Sequence, residues 1–271
     1  MEAFREFEAL LRERFPDPGE RGHAFEPVAK WLLETHPVYS EQLRRVWAFD
    51  EWPGCWGPDD GVDLVAEHVD GSLWAVQVKC YDPKYQINKA DLDSFLAASG
   101  RPVFSHRLLI STTDQINSRA TRTMRDQDKP VSVLGRADLL AAPVVWPDDP
   151  VDLVGGGPQE PREPRPHQRE AIDAVVDGLG ERGQLIMACG TGKTLTSLWI
   201  DEALGSQRTL VLVPSLTLLS QLVTEWTASA AEPFAFLPVC SDETVARGSD
   251  AAVMFASDLQ FPVTTDAGEI A

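Results

Sequence analysis

The sequence predicts an α/β chain in two parts, a mixed sheet covered by helices and then an incomplete parallel, doubly wound sheet. Three observations carry that expectation. Along residues 1–145, windows with apolar residues at helical spacing interleave with windows that alternate at period two. The stretch Trp146–Pro166 holds six prolines and a Gly triplet, which preclude a packed helix or central strand and mark a linker. Beyond it, an apolar run, a Gly-rich turn and a helix follow one another at 184–204, the order of a parallel strand–helix unit.

Element by element, helices are expected at 2–15 and 22–35, then a strand near 44–50 and a hairpin at 61–81. Asp70-Gly71 supplies the hairpin's turn signal. A helix at 90–99, a strand at 106–112, a helix near 116–127 and a strand at 131–135 complete the first part. The second part reads as helix 167–179, strand 184–188, helix 193–204, strand 209–213 and helix 215–228, with shorter strand-like runs at 234–240 and 251–256. The expected units are therefore 1–145, a linker at 146–165, and 166–271.

Composition is globular, 43% hydrophobic and 24% charged, so a sizeable core can be buried. The N-terminus MEAFREFEALLRERF lacks the apolar region of a signal peptide, and no window has the apolar length of a membrane span. Cys55, Cys80, Cys189 and Cys240 are far apart, which argues against a zinc site or disulfide framework and suits a reducing, cytoplasmic setting without a membrane partner. Net charge is −18. Residues 1–150 hold 17 Lys+Arg against 25 Asp+Glu, and residues 151–271 hold 7 against 17. Affinity for a polyanion must then be local or metal-assisted, because it comes from clustered cations. One such cluster exists: Arg119, Arg122 and Arg125 recur every three residues on the helix near 116–127. It reads equally as a DNA-backbone contact and as a solvated face. Trp47, Trp52 and Trp56 precede the hairpin, and burial against the sheet is favoured over stacking on bases. The five histidines show no ligand spacing.

Two motifs carry chemistry. In GVDLVAEHVDGSLWAVQVKCY, residues 61–81, Asp63 lies in the first strand and Gln77 and Lys79 lie two apart in the second. Period two puts Gln77 and Lys79 on one face, with Val76, Val78 and Cys80 on the other. Asp63 can join them across the hairpin. A carboxylate that holds a divalent cation beside a lysine that positions and helps deprotonate a water is a workable centre for phosphodiester hydrolysis. The second motif is ACGTGKT, Ala188–Thr194, after the apolar QLIM and before the helix KTLTSLWIDEAL. Gly190, Thr191 and Gly192 shape a turn whose N–H groups can approach phosphates, Lys193 reaches their charge, and Thr194 offers a hydroxyl to Mg²⁺. Met187 stands where the eight-residue pattern usually has Gly or Ala.

The D…QxK pattern resembles the Mrr-like branch of the PD-(D/E)xK nucleases, in which the second acid is often glutamine and an N-terminal helix adds a glutamate. GHAFEPVAKWLL, residues 22–33, supplies Glu26 at the matching place. The resemblance implies a restriction-endonuclease-like fold, Mg²⁺ as cofactor, and Asp63, Gln77 and Glu26 as its ligands, with Lys79 acting on the water. RPHQREAIDAV, with Gln168, resembles the Q-motif of superfamily 2 helicases, whose glutamine bonds adenine, so ATP with Mg²⁺ is the implied nucleotide. TLVLVPSLTLLSQLVTEW resembles the following motif, whose Pro-Ser turn touches the DNA backbone. That implies an incomplete RecA-like helicase lobe. Asp242-Glu243, the best internal acidic pair, reads as a surface turn, and no DEAD/DEAH-type box precedes Ala271, so ATP turnover by this chain alone is not expected.

The order of nuclease, linker, Q-motif and MACGTGKT loop resembles the N-terminal part of single-chain type I-like (type ISP) restriction-modification enzymes. The resemblance implies double-stranded DNA as partner, with the remaining motor, methyltransferase and target-recognition domains in a full-length enzyme. Two other readings stand beside it: a non-catalytic remnant that binds DNA and ATP, and a P-loop NTPase whose N-terminal domain is a scaffold.

Overall fold

The computed structural model describes residues 2–57, 61–129, 131–178, 182–240 and 259–270. Asp242-Glu243 and the strand-like run 251–256 lie outside the described residues.

Two helices open the chain, α1 (Glu2–Arg14) and α2 (Pro18–Thr35). Asp17 starts α2, its Oδ1 accepting from the N–H groups of Gly19 (2.8 Å) and Glu20 (3.0 Å), with Pro18 in the first turn where no N–H is needed. A short helix, α3 (Pro37–Ser40), leads to β1 (Leu43–Ala48). The hairpin forms as β2 (Leu64–His68) and β3 (Leu73–Lys79), turning at Gly71 with φ 88° while Ser72 N–H donates to Asp70 Oδ1 over 2.7 Å. Next come α4 (Asp93–Ala98), β4 (Phe104–Ser111), α5 (Ser118–Arg125), β5 (Val131–Leu134) and α6 (Arg136–Ala141). The α3 and α6 helices, too short to leave a periodic signal, escape the sequence reading.

The five strands form one sheet in the order β1-β2-β3-β4-β5, antiparallel through β3 and parallel beyond it. It is the expected mixed sheet flanked by helices. Alternation along β3 separates two apolar layers. Trp74, Val76, Val78 and Cys80 pack with Phe25, Val28, Ala29 and Leu32 of α2, whereas Ala75 packs with Val65, Phe95 of α4, and Ala120 and Met124 of α5. Parallel β3-β4-β5 pairing requires crossovers, and α4 and α5 supply them on the second face. The Trp-rich stretch belongs to this second layer. Trp52 is 8% exposed and meets Trp56 edge-on at 5.9 Å, and Trp47 and Trp56 pack half-buried against the same layer.

The proline-rich stretch is less free than its composition suggests. Val144–Val145 (β6) pairs antiparallel with Gly157–Pro158 (β7), and Trp146 is buried against Phe4, Phe7 and Trp31. One indole with three aromatic partners outweighs the loop preference of its proline neighbours.

The second part contains α7 (Pro166–Gly178), α8 (Lys193–Leu204), α9 (Leu216–Ser229) and a last turn, α10 (Ala267–Ile270). Here the expected strands 184–188 and 209–213 are not paired among the described residues, and Ile186, Leu210 and Leu212 are 87%, 85% and 84% exposed. Parallel strands need neighbours for their N–H and C=O groups and helices on both faces. Here the helices instead close on each other, Leu195, Leu198 and Trp199 of α8 against Trp226 of α9. Among the described residues the run 234–240 makes only an isolated bridge, Val239 to Thr264. Among the described residues no helix is long and apolar enough to cross a membrane.

Candidate active site and nucleotide loop

The β2–β3 register fixes the first site. Leu64 stands opposite Val76, and the Asp63 N–H donates to the Val76 carbonyl over 2.9 Å, so Asp63 falls beside Gln77 just before β2 begins. Its Oδ2 accepts from the Val78 N–H at 2.5 Å, which seats the carboxylate on the β3 backbone between Gln77 and Lys79. Gln77 is 1% exposed. Its amide Nε2 donates to the Gly61 carbonyl over 3.0 Å, and its Oε1 is buried without a hydrogen-bond partner among the described residues. A buried amide oxygen left unpaired costs roughly 1–3 kcal/mol. Lys79, half-buried, follows on the same strand face. The structure thus brings Asp63, Gln77 and Lys79 together.

Glu26 arrives differently. It sits on α2, which packs against the Val76–Val78 face, opposite to that of Gln77 and Lys79. Flanking residues locate it along the sheet: Arg21 lies close enough to bear on Cys80 just past β3, and Lys30 bonds Glu51 just past β1 at 3.2 Å. Glu26 is therefore at the same end of the sheet as Asp63, on the helix side, with its Oε1 3.0 Å from His23 Nδ1.

Two neighbours escaped the sequence reading. Gly61, at φ +105°, brings its carbonyl to Gln77; a Cβ there would come within 2.7 Å of Ser94 Oγ and 2.8 Å of the Phe95 nitrogen. A glycine two residues before an aspartate was the available signal. Tyr81, just after β3, has its phenol pKa pushed up to about 12, first by burial and then by the charges of Asp91, Tyr85 and Asp63, so it stays protonated beside the carboxylates.

A divalent cation suits the donor set. Among the described residues no group of three or more His, Cys, Asp or Glu assembles. An ion here would draw on the Asp63 carboxylate and on the Gln77 Oε1, a buried acceptor without a hydrogen-bond partner among the described residues.

The second site is built at the start of α8. Gly190 and Gly192 take φ of 76° and 83°, in the left-handed region that glycine adopts without strain, and Thr191 Oγ1 closes the turn on the Ala188 carbonyl at 2.8 Å. Lys193 Nζ folds back onto the Ala188 and Met187 carbonyls, at 2.8 and 3.2 Å. Gln168 is 4% exposed; its Nε2 donates to the Thr191 and Gly192 carbonyls (3.2 and 3.3 Å) and its Oε1 accepts from the Arg165 N–H at 2.9 Å. Gln168 thus braces the loop. Thr194 gives its carbonyl to Trp226 Nε1 at 2.8 Å. Around the loop lies a cavity of about 400 Å³, and Arg162, Gln221 and Glu225 border both it and a second cavity of about 430 Å³ that reaches His36 and Asp138.

Comparison with known proteins agrees with this organisation. Residues 34–150 match the restriction endonuclease family Mrr_cat_2, and residues 162–261 match the family of the type III restriction enzyme res subunit. No curated protein matches the chain. Among solved structures, the ATP-dependent type ISP restriction-modification enzyme LlaBIII bound to DNA superposes with a TM-score of 0.76 at 31% identity, over 91% of this chain and 16% of that one. The chain therefore spans about a sixth of that enzyme's length. The MspJI restriction endonuclease in complex with a 27-mer oligonucleotide aligns at TM-score 0.36 and 20% identity, over 49% of this chain and 30% of the other. The DNA modification-dependent restriction endonuclease AspBHI aligns at 0.36 and 15%, over 52% and 34%. Residues 34–150 thus match an Mrr-type restriction endonuclease domain and residues 162–261 a res-subunit, helicase-like domain, and the chain is structurally similar to a type ISP restriction-modification enzyme.

Proposed function

We propose that residues 1–145 are an Mg²⁺-dependent endonuclease that cleaves phosphodiester bonds of double-stranded DNA, joined through 146–165 to part of an ATP-dependent translocase lobe at 166–271. The observation that carries this reading is the buried, partnerless Oε1 of Gln77 beside the Asp63 carboxylate. Mg²⁺ held there by Asp63 and Gln77, with Glu26 from α2, would polarise the scissile phosphate. Lys79 Nζ orients the attacking water. A bond forms from the water oxygen to phosphorus as one ester P–O bond breaks, and the leaving oxygen takes up a proton. Gln77 is a neutral ligand, so metal affinity rests on the two carboxylates. ATP with Mg²⁺ is the proposed ligand of Gly190, Thr191, Gly192, Lys193 and Thr194, with Gln168 holding the loop in shape. For phosphates to enter, Lys193 must release the Ala188 and Met187 carbonyls.

The test is nicking of supercoiled plasmid with Mg²⁺ or Mn²⁺, comparing the chain with Lys79→Ala at matched folding. Nicking that is lost in the variant supports the site; nicking that persists unchanged removes it. A non-catalytic remnant is the second reading, favoured by the neutral Gln77 and the net charge of −18. Duplex binding without any metal-dependent nicking would select it.

A further inference from the structure

We propose that the outer face of α5, carrying Arg119 and Arg122, is the surface on which the phosphodiester backbone of duplex DNA lies when it reaches the Asp63–Lys79 site; the proposal rests on the nuclease reading above. A chain with a net charge of −18 can hold a polyanion only where cations stand clear of its own carboxylates. Most cations of the first domain are already paired, buried or set against rings. Arg12, Arg14, Lys30, Arg44, Lys89 and Arg136 are in ion pairs. Arg21 and Arg107 are buried and donate to backbone carbonyls. Arg45 and Arg101 lie over the rings of Trp47 and Trp56. Arg119 and Arg122 are exposed and make no ion pair among the described residues. The nearest acids in sequence lie beyond the helix: Asp114 is turned to the Ala137 N–H at 3.0 Å, and Asp126 caps the C-terminus.

Position makes the patch relevant to the site. Ala120 and Met124 of α5 pack in the same apolar layer as Ala75, two residues before Gln77 on the same face of β3. The segment entering α5 starts at Lys79 itself: the Thr112 N–H donates to the Lys79 carbonyl at 3.0 Å, Thr113 Oγ1 to the Tyr85 carbonyl at 2.9 Å, and Ile116 pairs with Ile87. The arginine row therefore begins near the catalytic end of the sheet and leads away from it. From Arg119 to Arg122 is about 4.5 Å along a helix, against a rise of about 3.4 Å per nucleotide of one strand, so the pair matches two neighbouring phosphates.

The experiment is fluorescence anisotropy of a labelled 20-base-pair duplex of mixed sequence, with Ca²⁺ replacing Mg²⁺, across roughly 50–200 mM salt. Arg119→Ala with Arg122→Ala should weaken binding at least tenfold at the lowest salt and reduce the log–log salt slope by about 1.8, at 0.9 per phosphate. Arg119→Lys with Arg122→Lys should keep the slope, because backbone contacts need charge more than a planar fork. Arg44→Ala, which removes the cation paired with Glu67 at 3.8 Å, should also keep it. Circular dichroism and thermal unfolding check that each variant folds. If the wild-type chain binds and nicks but the double alanine variant keeps the full slope, the surface is wrong and the nuclease reading stands. If the wild-type chain neither binds the duplex nor nicks plasmid, both fall together.

Discussion

The indole Nε1 of Trp226 donates to the carbonyl of Thr194 over 2.8 Å, tying α9 to the first turn after the phosphate loop. The same ring packs with Leu195, Leu198 and Trp199, so α8 and α9 share one apolar contact. Trp226→Phe keeps much of the packing and removes the hydrogen bond. We expect a loss of about 1 kcal/mol in unfolding stability and weaker binding of a fluorescent ADP analogue with Mg²⁺. Unchanged nucleotide affinity in a destabilised variant would show that this bond supports packing alone.

Gln168 bears on the same loop from α7. Its Nε2 faces two carbonyls, so Gln168→Glu sets a carboxylate against two acceptors, whereas Gln168→Leu only removes the donor. The glutamate variant should lose more nucleotide affinity, by about tenfold or more for each 1.4 kcal/mol of lost loop stability. Gly192→Ala should act similarly, since its Cβ would stand 2.5 Å from Gln168 Nε2 at φ +83°. Isothermal titration with ADP and Mg²⁺ ranks the three; equal affinities for Gln168→Glu and the wild-type chain would remove the bracing role.

At the nuclease site, Gly61→Ala is the structural counterpart of Lys79→Ala. A side chain at φ +105° would meet Ser94 and the α4 backbone, and the displaced segment carries both the carbonyl that anchors Gln77 and the Asp63 carboxylate. Unfolding in urea should show a loss of roughly 2–5 kcal/mol from backbone strain and overpacking together. Nicking should fall with it. Lys79→Ala, by contrast, should leave the urea midpoint nearly in place.

Acid sensitivity should follow two buried histidines. Burial pulls the pKa of both His36 and His106 down to about 4. Between the ordinary histidine value near 6.5 and that pH, the unfolded chain binds protons that the folded chain refuses. Stability is thus fully present above about 6.5 and lost as pH falls toward 4, by on the order of 3 kcal/mol per histidine. Among the described residues the His106 Nε2 has no partner, and its ring lies 4.6 Å from Trp74. His106→Phe should then cost little at pH 7.5 and flatten the decline below 6.5. Urea unfolding at a series of pH values checks this, and identical pH slopes would refute it.

Much of the molecule was legible from local pattern. The helices 193–204 and 215–228 emerged within a residue or so, because a Gly-rich turn and an N-capping serine announce their starts. The hairpin followed from Asp70-Gly71 and period two, and with it the pairing of Gln77 and Lys79 on one face. Other features were not legible. The burial of Trp146 depends on three rings contributed by α1 and α2, more than a hundred residues earlier. That Gln168 makes three bonds to the protein's own backbone likewise depends on contacts its motif does not encode.

The sequence by itself determined which residues can carry the chemistry and which segments coil or extend, since periodicity, turn residues and glycine conformations are local properties. Only the tertiary structure decided that Asp63 stands beside Gln77, that the Gln77 oxygen is buried without a partner among the described residues, and that Glu26 approaches from the opposite side of the sheet. It also decided that the apolar runs 184–188 and 209–213 are not paired among the described residues. The physical reason is common to all of these: register, burial and strand pairing are set by contacts between segments distant in the chain, and no local pattern encodes which distant partner fills the space.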